Sequence, residues 1–347
     1  MKFGFLLLVC ACSAQLQAQT TQAAHITPLY GPAGVSAQAV RQGMLGTCYF
    51  HAAIAAIASR NPDLLRSAIE ENADGSYTVQ FRDGSVETVQ KDDVLYGRAK
   101  FYDQSDGLWV LVLMRAMAQQ TVRNALVDEI GATPLPTGVK EMATQLIKSN
   151  DLILTAYDRA IRTTISQGGD MQRAALKNAV TSEASALSIP GFLSQPAIDV
   201  LDTSGFFDGL AQRIKVNGEL FGAYHLAGQG GLPERVMATY DRPGSYVPIT
   251  DMTSLRALLS KIQTQALPAV ATSKDSVDVA VLDRIIAAGG VAGWWIPEHS
   301  YTVLEYNETK DTVTLRNPWG HHPGADGVFT LSTTDFITAF RGMSVMN

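Results

Sequence analysis

The stretch that most constrains this chain is CYFHAAIAAIAS, residues 48–59. Alanine is the best helix former and Pro62 closes the run, so the pattern predicts a helix from Cys48 to Ser59. Phe50, Ala53, Ile54 and Ile57 form one apolar stripe, and the opposite side is mostly alanine. A helix that is apolar all round belongs in an interior. A cysteine therefore stands at the mouth of an interior helix, preceded by Gly43 and Gly46, which let the chain turn tightly.

Cys48 is also the only thiol expected in the mature protein. Lys2, the apolar run FGFLLLVCAC and the small and polar SAQLQAQT read as an export signal, with residues 1–18 removed. VCAC resembles a lipoprotein signal, so lipid attachment at Cys12 is the alternative and the only expected route to a membrane. Secretion or periplasmic release is the preferred reading. Cleavage removes Cys10 and Cys12 and leaves no intrachain disulfide possible. A lone thiol in an oxidising compartment is a chemical liability, which points to a task. With 347 residues and 46% hydrophobic content the chain has material for a sizeable core. Its net charge of -6 and lack of basic clusters argue against a nucleic-acid partner.

Along the chain, residues 19–40 are rich in Gln, Ala and Gly and read as an extended arm. PDLLRSAIEEN reads as a second short helix, and GSYTVQFRDGSVETVQ as a hairpin turning at Asp83-Gly84. GLWVLVLMRAMAQQTVRNALVDEI is a long helical run. GVKEMATQLIKSNDLILTAYDRAIRTTI, DMQRAALKNAVTSEASAL and FFDGLAQRIKV look helical. After Gly230-Gly231 the texture changes. MTSLRALLSKIQTQAL is a helix with Thr253 as N-cap candidate, and PAVATS a short strand. HSYTVLEYNETKDTVTLRNPWG is a hairpin, and GVFTLSTTDFITAF a last strand with a short helix.

A cysteine nucleophile needs a lowered pKa, a base, a group to orient that base and a donor for the oxyanion. The helix start favours a Cys48 thiolate. The Gln42 amide, in the approach loop, is placed to share an oxyanion with the Cys48 backbone N–H. If the hairpin is centred on Thr309, Tyr301 lies opposite Asn317, and His299 sits two residues along on the same face. Asn317 then accepts the imidazole N–H and fixes its tautomer, with Trp319 covering that bond from water. A slip of one residue in either strand would put His299 and Asn317 on opposite faces. His51, one turn after Cys48, is the rival base, but its place on the same helix makes in-line proton transfer awkward. His225 and His321-His322 read as surface or turn residues without a third metal ligand at a sensible spacing. Trp294 and Trp295 read as core or rim residues with a cleft role open, and Gly289-Gly290 as a turn.

These residues carry a resemblance. QGMLGTCYFHAAIAAIA is similar to the active-site segment of calpain-type cysteine proteases, Q-G-x-L-G-D-C-W followed by an Ala/Leu-rich helix. EHSYTV…TLRNPWG is similar to that family's G-H-A-Y-S-V…R-N-P-W-G. The hairpin at GSYTVQFRDGSVETVQKDD, the helix LWVLVLMRAMAQ and the closing DGVFTLSTTDFITAF are similar to further family segments. The likeness spans roughly residues 40–120 and 230–342. It implies Cys48 as nucleophile, His299 as general base and then acid, Asn317 as orienting residue and Gln42 as oxyanion donor. It also implies an α+β, papain-like, two-lobed fold. Residues 41–229 would form a helical lobe with a helical insertion at about 125–228, and residues 230–347 a β-rich lobe. Thr47 stands where the family has Asp, Tyr49 where it has Trp, and Glu298 where it has Gly. Gly46, Glu298 and Trp295 are therefore candidates for the substrate cleft. The animal enzymes' acidic calcium loops have no placed counterpart, so the metal site is unknown and calcium is possible but not placed. The chemistry itself requires no cofactor.

The reading is an exported calpain-like cysteine endopeptidase acting on protein or peptide. The alternative is a papain-fold acyltransferase, toxin or non-proteolytic binding module on the same scaffold, motivated by the long insertion.

Overall fold

The computed structural model describes residues 27–132, 137–149, 151–166, 173–188, 223–287, 295–320 and 326–347, with isolated residues between 195 and 205. The export-signal reading, FFDGLAQRIKV, Gly289-Gly290, Trp294 and His321-His322 lie outside them.

Helix α1 runs Cys48–Arg60, and every side chain from Tyr49 to Ala58 is buried. An all-apolar surface needs a partner on every side, and several elements supply it. Helix α2 is short, Pro62–Ser67. The expected helical run to Asn72 stops there because Ile69–Glu71 pairs as strand β1 with β2, Tyr77–Gln80. Strand β3, Val86–Val89, completes this antiparallel sheet with Tyr77 opposite Val89, as the Asp83-Gly84 turn requires. Helix α3 covers Lys91–Ala99, and α4 is the expected long helix, Trp109–Ala132, buried from Trp109 to Met114.

The run read as one helix after residue 137 is two, α5 at Thr137–Ser149 and α6 at Asp151–Ser166, followed by α7 at Arg173–Ala186. Buried ion pairs bind α6 to what precedes it. Arg162 Nη2 lies 2.6 Å and Arg159 Nε 3.1 Å from Asp93 Oδ1 on α3, and the fully buried Arg115 on α4 lies 3.2 Å from Asp158. Arg123 on α4 holds Glu87 at 2.7 Å, and also Asp151. Helices α8, Ala223–Gly228, and α9, Pro233–Tyr240, then return the chain toward α1.

The rest is built on a six-stranded antiparallel sheet in the order β4-β9-β5-β6-β7-β8. The strands are β4 Gly244–Pro248, β5 Ala269–Ser273, β6 Ser300–Asn307, β7 Thr312–Arg316, β8 Val328–Ser332 and β9 Phe340–Met346. Strand β9 was not anticipated. It lies between β4 and β5, nearly all buried, so its residues lack the in-out alternation that marks a half-exposed strand. Helix α10, Met252–Thr264, is capped by Asp251 rather than Thr253, because the Asp251 carboxylate accepts the Ser254 N–H at 2.9 Å. Helices α11, Val279–Ala287, and α12, Thr333–Ala339, pack with it on one side. The buried apolar residues form two clusters, one around α1 and α4, the other between the six-stranded sheet and α10–α12. Mixed helix and antiparallel sheet make this an α+β fold.

The candidate active site

Cys48 sits half-buried at the first residue of α1, after Thr47. The loop before it is held from two directions. The Gln42 N–H donates to Pro318 O at 2.8 Å, and Met44 N–H to Phe101 O at 2.8 Å. A Cβ on Gly43 would stand 2.0 Å from Phe101 O, so this close approach admits only glycine. Gly46 does not face the cleft wall expected of it. A Cβ there would meet Gly228 O at 2.5 Å, so the glycine lets the end of α8 pack against the approach loop.

The β-rich part meets α1 through β6. Thr302 Oγ1 donates to Ala52 O at 2.9 Å, and Arg60 Nη2 to Leu304 O at 2.8 Å. This seats the start of β6 over the start of α1. Ser300 lines the same cleft as Cys48, and its backbone N–H and hydroxyl pull the thiol pKa down against burial. Sequence reasoning passed over Ser300, although the family pattern has Ala at that place.

His299, next to Ser300, is buried, and its Nε2 lies 3.1 Å from Asn317 Oδ1. The expected register holds here, with Thr302 opposite Arg316, and a bulge shifts it only between Val303 and Glu305. The Trp319 backbone N–H reaches the same Asn317 atom at 3.0 Å. A backbone N–H can only donate, so that atom is the amide oxygen. His299 Nε2 must then be the protonated nitrogen, which leaves Nδ1 as the acceptor. The Trp319 ring stands edge-on to the imidazole, with centroids 5.4 Å apart, and Tyr301 flanks it at 4.9 Å.

Burial decides the protonation states. It pulls the His299 imidazole down from 6.5 to about 4, against the opposing effect of the Asn317 hydrogen bond. It also pushes the Cys48 thiol up, and the donors at Ser300, Tyr49 and Cys48 itself offset this only in part. The acidic thiol expected from the helix start is thus corrected. Desolvation of a thiolate outweighs the backbone N–H groups that would stabilise it. At neutral pH both groups are uncharged.

Cys48 and Ser300 open onto a cleft of about 540 Å³, walled by Tyr49, Leu232, Pro233 and Tyr246. Glu298 lines it with φ of 50° and pairs with Arg341 at 3.5 Å. Glu298 is thus a cleft residue, as expected. Trp295 is elsewhere: its indole N–H donates to Ala339 O at 3.3 Å, and it packs on the second apolar cluster. Gln42 is buried, and its Nε2 donates one hydrogen to Leu45 O at 2.7 Å. The second hydrogen of that amide is the one an oxyanion would use. His51 is excluded as a base facing the cleft, because it is fully buried and both nitrogens are engaged, with Thr47 O and Asp103.

Among the described residues no group of three or more His, Cys, Asp or Glu gathers as a metal site, and no helix is long and apolar enough to cross a membrane.

No curated protein matches the chain. Among solved structures, the crystal structure of PepW from Lactobacillus rhamnosis is 9% identical with a TM-score of 0.28, covering 95% of this chain and 84% of that one. A likeness so slight carries no argument. The model of the calpain family cysteine proteases matches residues 16–165. It supports cysteine peptidase activity independently of His299 and Asn317, which lie outside the match. That match covers the part of the chain that holds Gln42 and Cys48.

Proposed function

We propose that the protein is an exported cysteine endopeptidase with a two-lobed, papain-like arrangement, cutting peptide bonds through a Cys48 acyl-enzyme. His299 Nδ1 takes the thiol proton as Cys48 Sγ attacks the peptide carbonyl. The developing oxyanion sits on the Cys48 N–H and the second Gln42 amide hydrogen. His299 returns the proton to the leaving amine, then takes one from the water that hydrolyses the thioester. Asn317 holds the imidazole in the tautomer this needs. The observation that carries this reading is that Cys48 and Ser300, the neighbour of the Asn317-bound His299, line one cleft. No step calls for a metal, and the N-terminal apolar run supports export.

The test is to incubate the purified protein with an unfolded protein, with and without a calcium chelator. Fragments are expected from the wild type in both arms and none from Cys48→Ala. Cutting by a folded Cys48→Ala variant would overturn the assignment. Thiol labelling of Cys48 without fragments would overturn proteolysis in favour of acyl transfer or binding, and loss of cutting in the chelator arm would assign a calcium requirement.

A further inference from the structure

His51 is a fully buried polar ring inside a helix of alanine and isoleucine. An apolar residue would fill that position at lower cost, since desolvating an ionisable pair is expensive. Its contacts show what it is exchanged for. Nδ1 lies 2.9 Å from Thr47 O, a carbonyl that can only accept, so Nδ1 carries a hydrogen. Nε2 lies 3.1 Å from Asp103 Oδ1, and Asp103 is fully buried as well. That carboxylate also receives the Ser105 hydroxyl at 2.6 Å and the Ser105 N–H at 3.1 Å, with the Arg98 guanidinium 3.5 Å away. The ring thus meets two segments at once: Nδ1 the carbonyl of Thr47, just before the Cys48 helix, and Nε2 the carboxylate of Asp103.

Asp103 belongs to the segment that pairs with the one carrying Gln42. Its backbone forms an antiparallel bridge with Gln42. Flanking bonds from Gln104 N–H to Arg41 O at 2.9 Å and from Met44 N–H to Phe101 O at 2.8 Å extend that pairing. One side-chain pair thus spans from the first turn of the Cys48 helix to the strand-like segment holding Gln42.

We propose that the buried His51–Asp103 pair is a positioning device that fixes Gln42 relative to the Cys48 backbone N–H and so assembles the oxyanion site. This rests on the peptidase reading above. His51 and Asp103 touch no substrate; they act through Thr47 and Gln42.

A peptide aldehyde and iodoacetamide separate this role from general support of the fold. The thiol adds across the aldehyde carbonyl, forming an S–C bond and leaving its proton on an oxygen that occupies the oxyanion site. Iodoacetamide alkylation displaces iodide and forms no oxyanion. In the full chain, His51→Leu is expected to weaken aldehyde binding roughly 10-fold while alkylation of Cys48 stays within about twofold. His51→Gln, which keeps a donor, is expected to recover part of the loss. Where His51→Leu fails to fold, Asp103→Asn, of nearly the same shape, replaces it. Combining either with Gln42→Ala is expected to weaken binding no further than Gln42→Ala alone. Parallel loss of alkylation and aldehyde binding, or multiplying effects with Gln42→Ala, would overturn the proposal. A wild type that is alkylated but binds no peptide aldehyde would instead overturn the peptidase reading on which the proposal rests.

Discussion

His299 donates its Nε2 hydrogen to Asn317 Oδ1 at 3.1 Å, and the Trp319 N–H donates to the same oxygen at 3.0 Å. The second bond orients the amide before the imidazole meets it. Asn317→Ala removes the acceptor and lets the ring take either tautomer. Peptidase kcat is expected to fall roughly 10–100-fold with little change in KM, the size of losing one strong hydrogen bond in the transition state. Steady-state kinetics on an unfolded protein substrate check this, and an unchanged kcat would remove Asn317 from the mechanism.

Activity should persist into acid. His299 is held down to about 4, so its imidazole stays a base well below its ordinary 6.5. The acid limb of kcat/KM is expected near pH 4. Stability follows the same group. The unfolded chain takes up a proton near 6.5 and the folded one only near 4. The contribution is therefore full above 6.5 and is lost as pH falls toward 4, up to ~3 kcal/mol at ~1.4 kcal/mol per unit. Melting curves at pH 7 and 4.5 should diverge less for His299→Gln than for the wild type.

Burial holds the Cys48 thiol above its ordinary 9.0. Alkylation by iodoacetamide is expected to keep rising above pH 9 instead of levelling near neutrality. A plateau by pH 7 would indicate a preformed thiolate.

Ser300 supplies two of the donors that oppose this rise. Ser300→Ala leaves the backbone N–H and removes the hydroxyl. The thiol is expected to move further up, and alkylation at pH 8 to slow roughly 2–10-fold, the worth of one hydrogen bond. An unaltered rate would show that the hydroxyl does not reach the sulfur.

Arg115 lies buried between Asp93 at 3.5 Å and Asp158 at 3.2 Å, with its guanidinium over the Tyr224 ring. Arg115→Met leaves both carboxylates buried with less compensation, from Arg159, Arg162 and the Ala223 N–H that Asp158 accepts. A loss of about 3 kcal/mol in urea unfolding is expected. An unchanged midpoint would mean that the pairs joining α6 to α4 are neutral in stability.

Local pattern alone determined several features: the Cys48 helix, the Asp83-Gly84 hairpin, and the pairing that brings His299 to Asn317. Each rests on neighbours within one helix or one hairpin, where periodicity and turn residues set the geometry. Strand β9 escaped because a strand paired on both edges and covered on both faces loses its alternation. The helix run to Asn72 was overruled by a sheet partner at Tyr77–Gln80, a contact that propensity does not see. The thiol's direction of shift was misread for a related reason: the helix start is local, but the burial that outweighs it comes from β6 and α9. His51 looked like a rival base and became a buried link only when the fold brought in Asp103, 52 residues away. The sequence could name the groups of the site, because chemistry is written in residue types. Their charges and orientations were left to the tertiary structure, because these depend on which distant segments exclude water and supply donors.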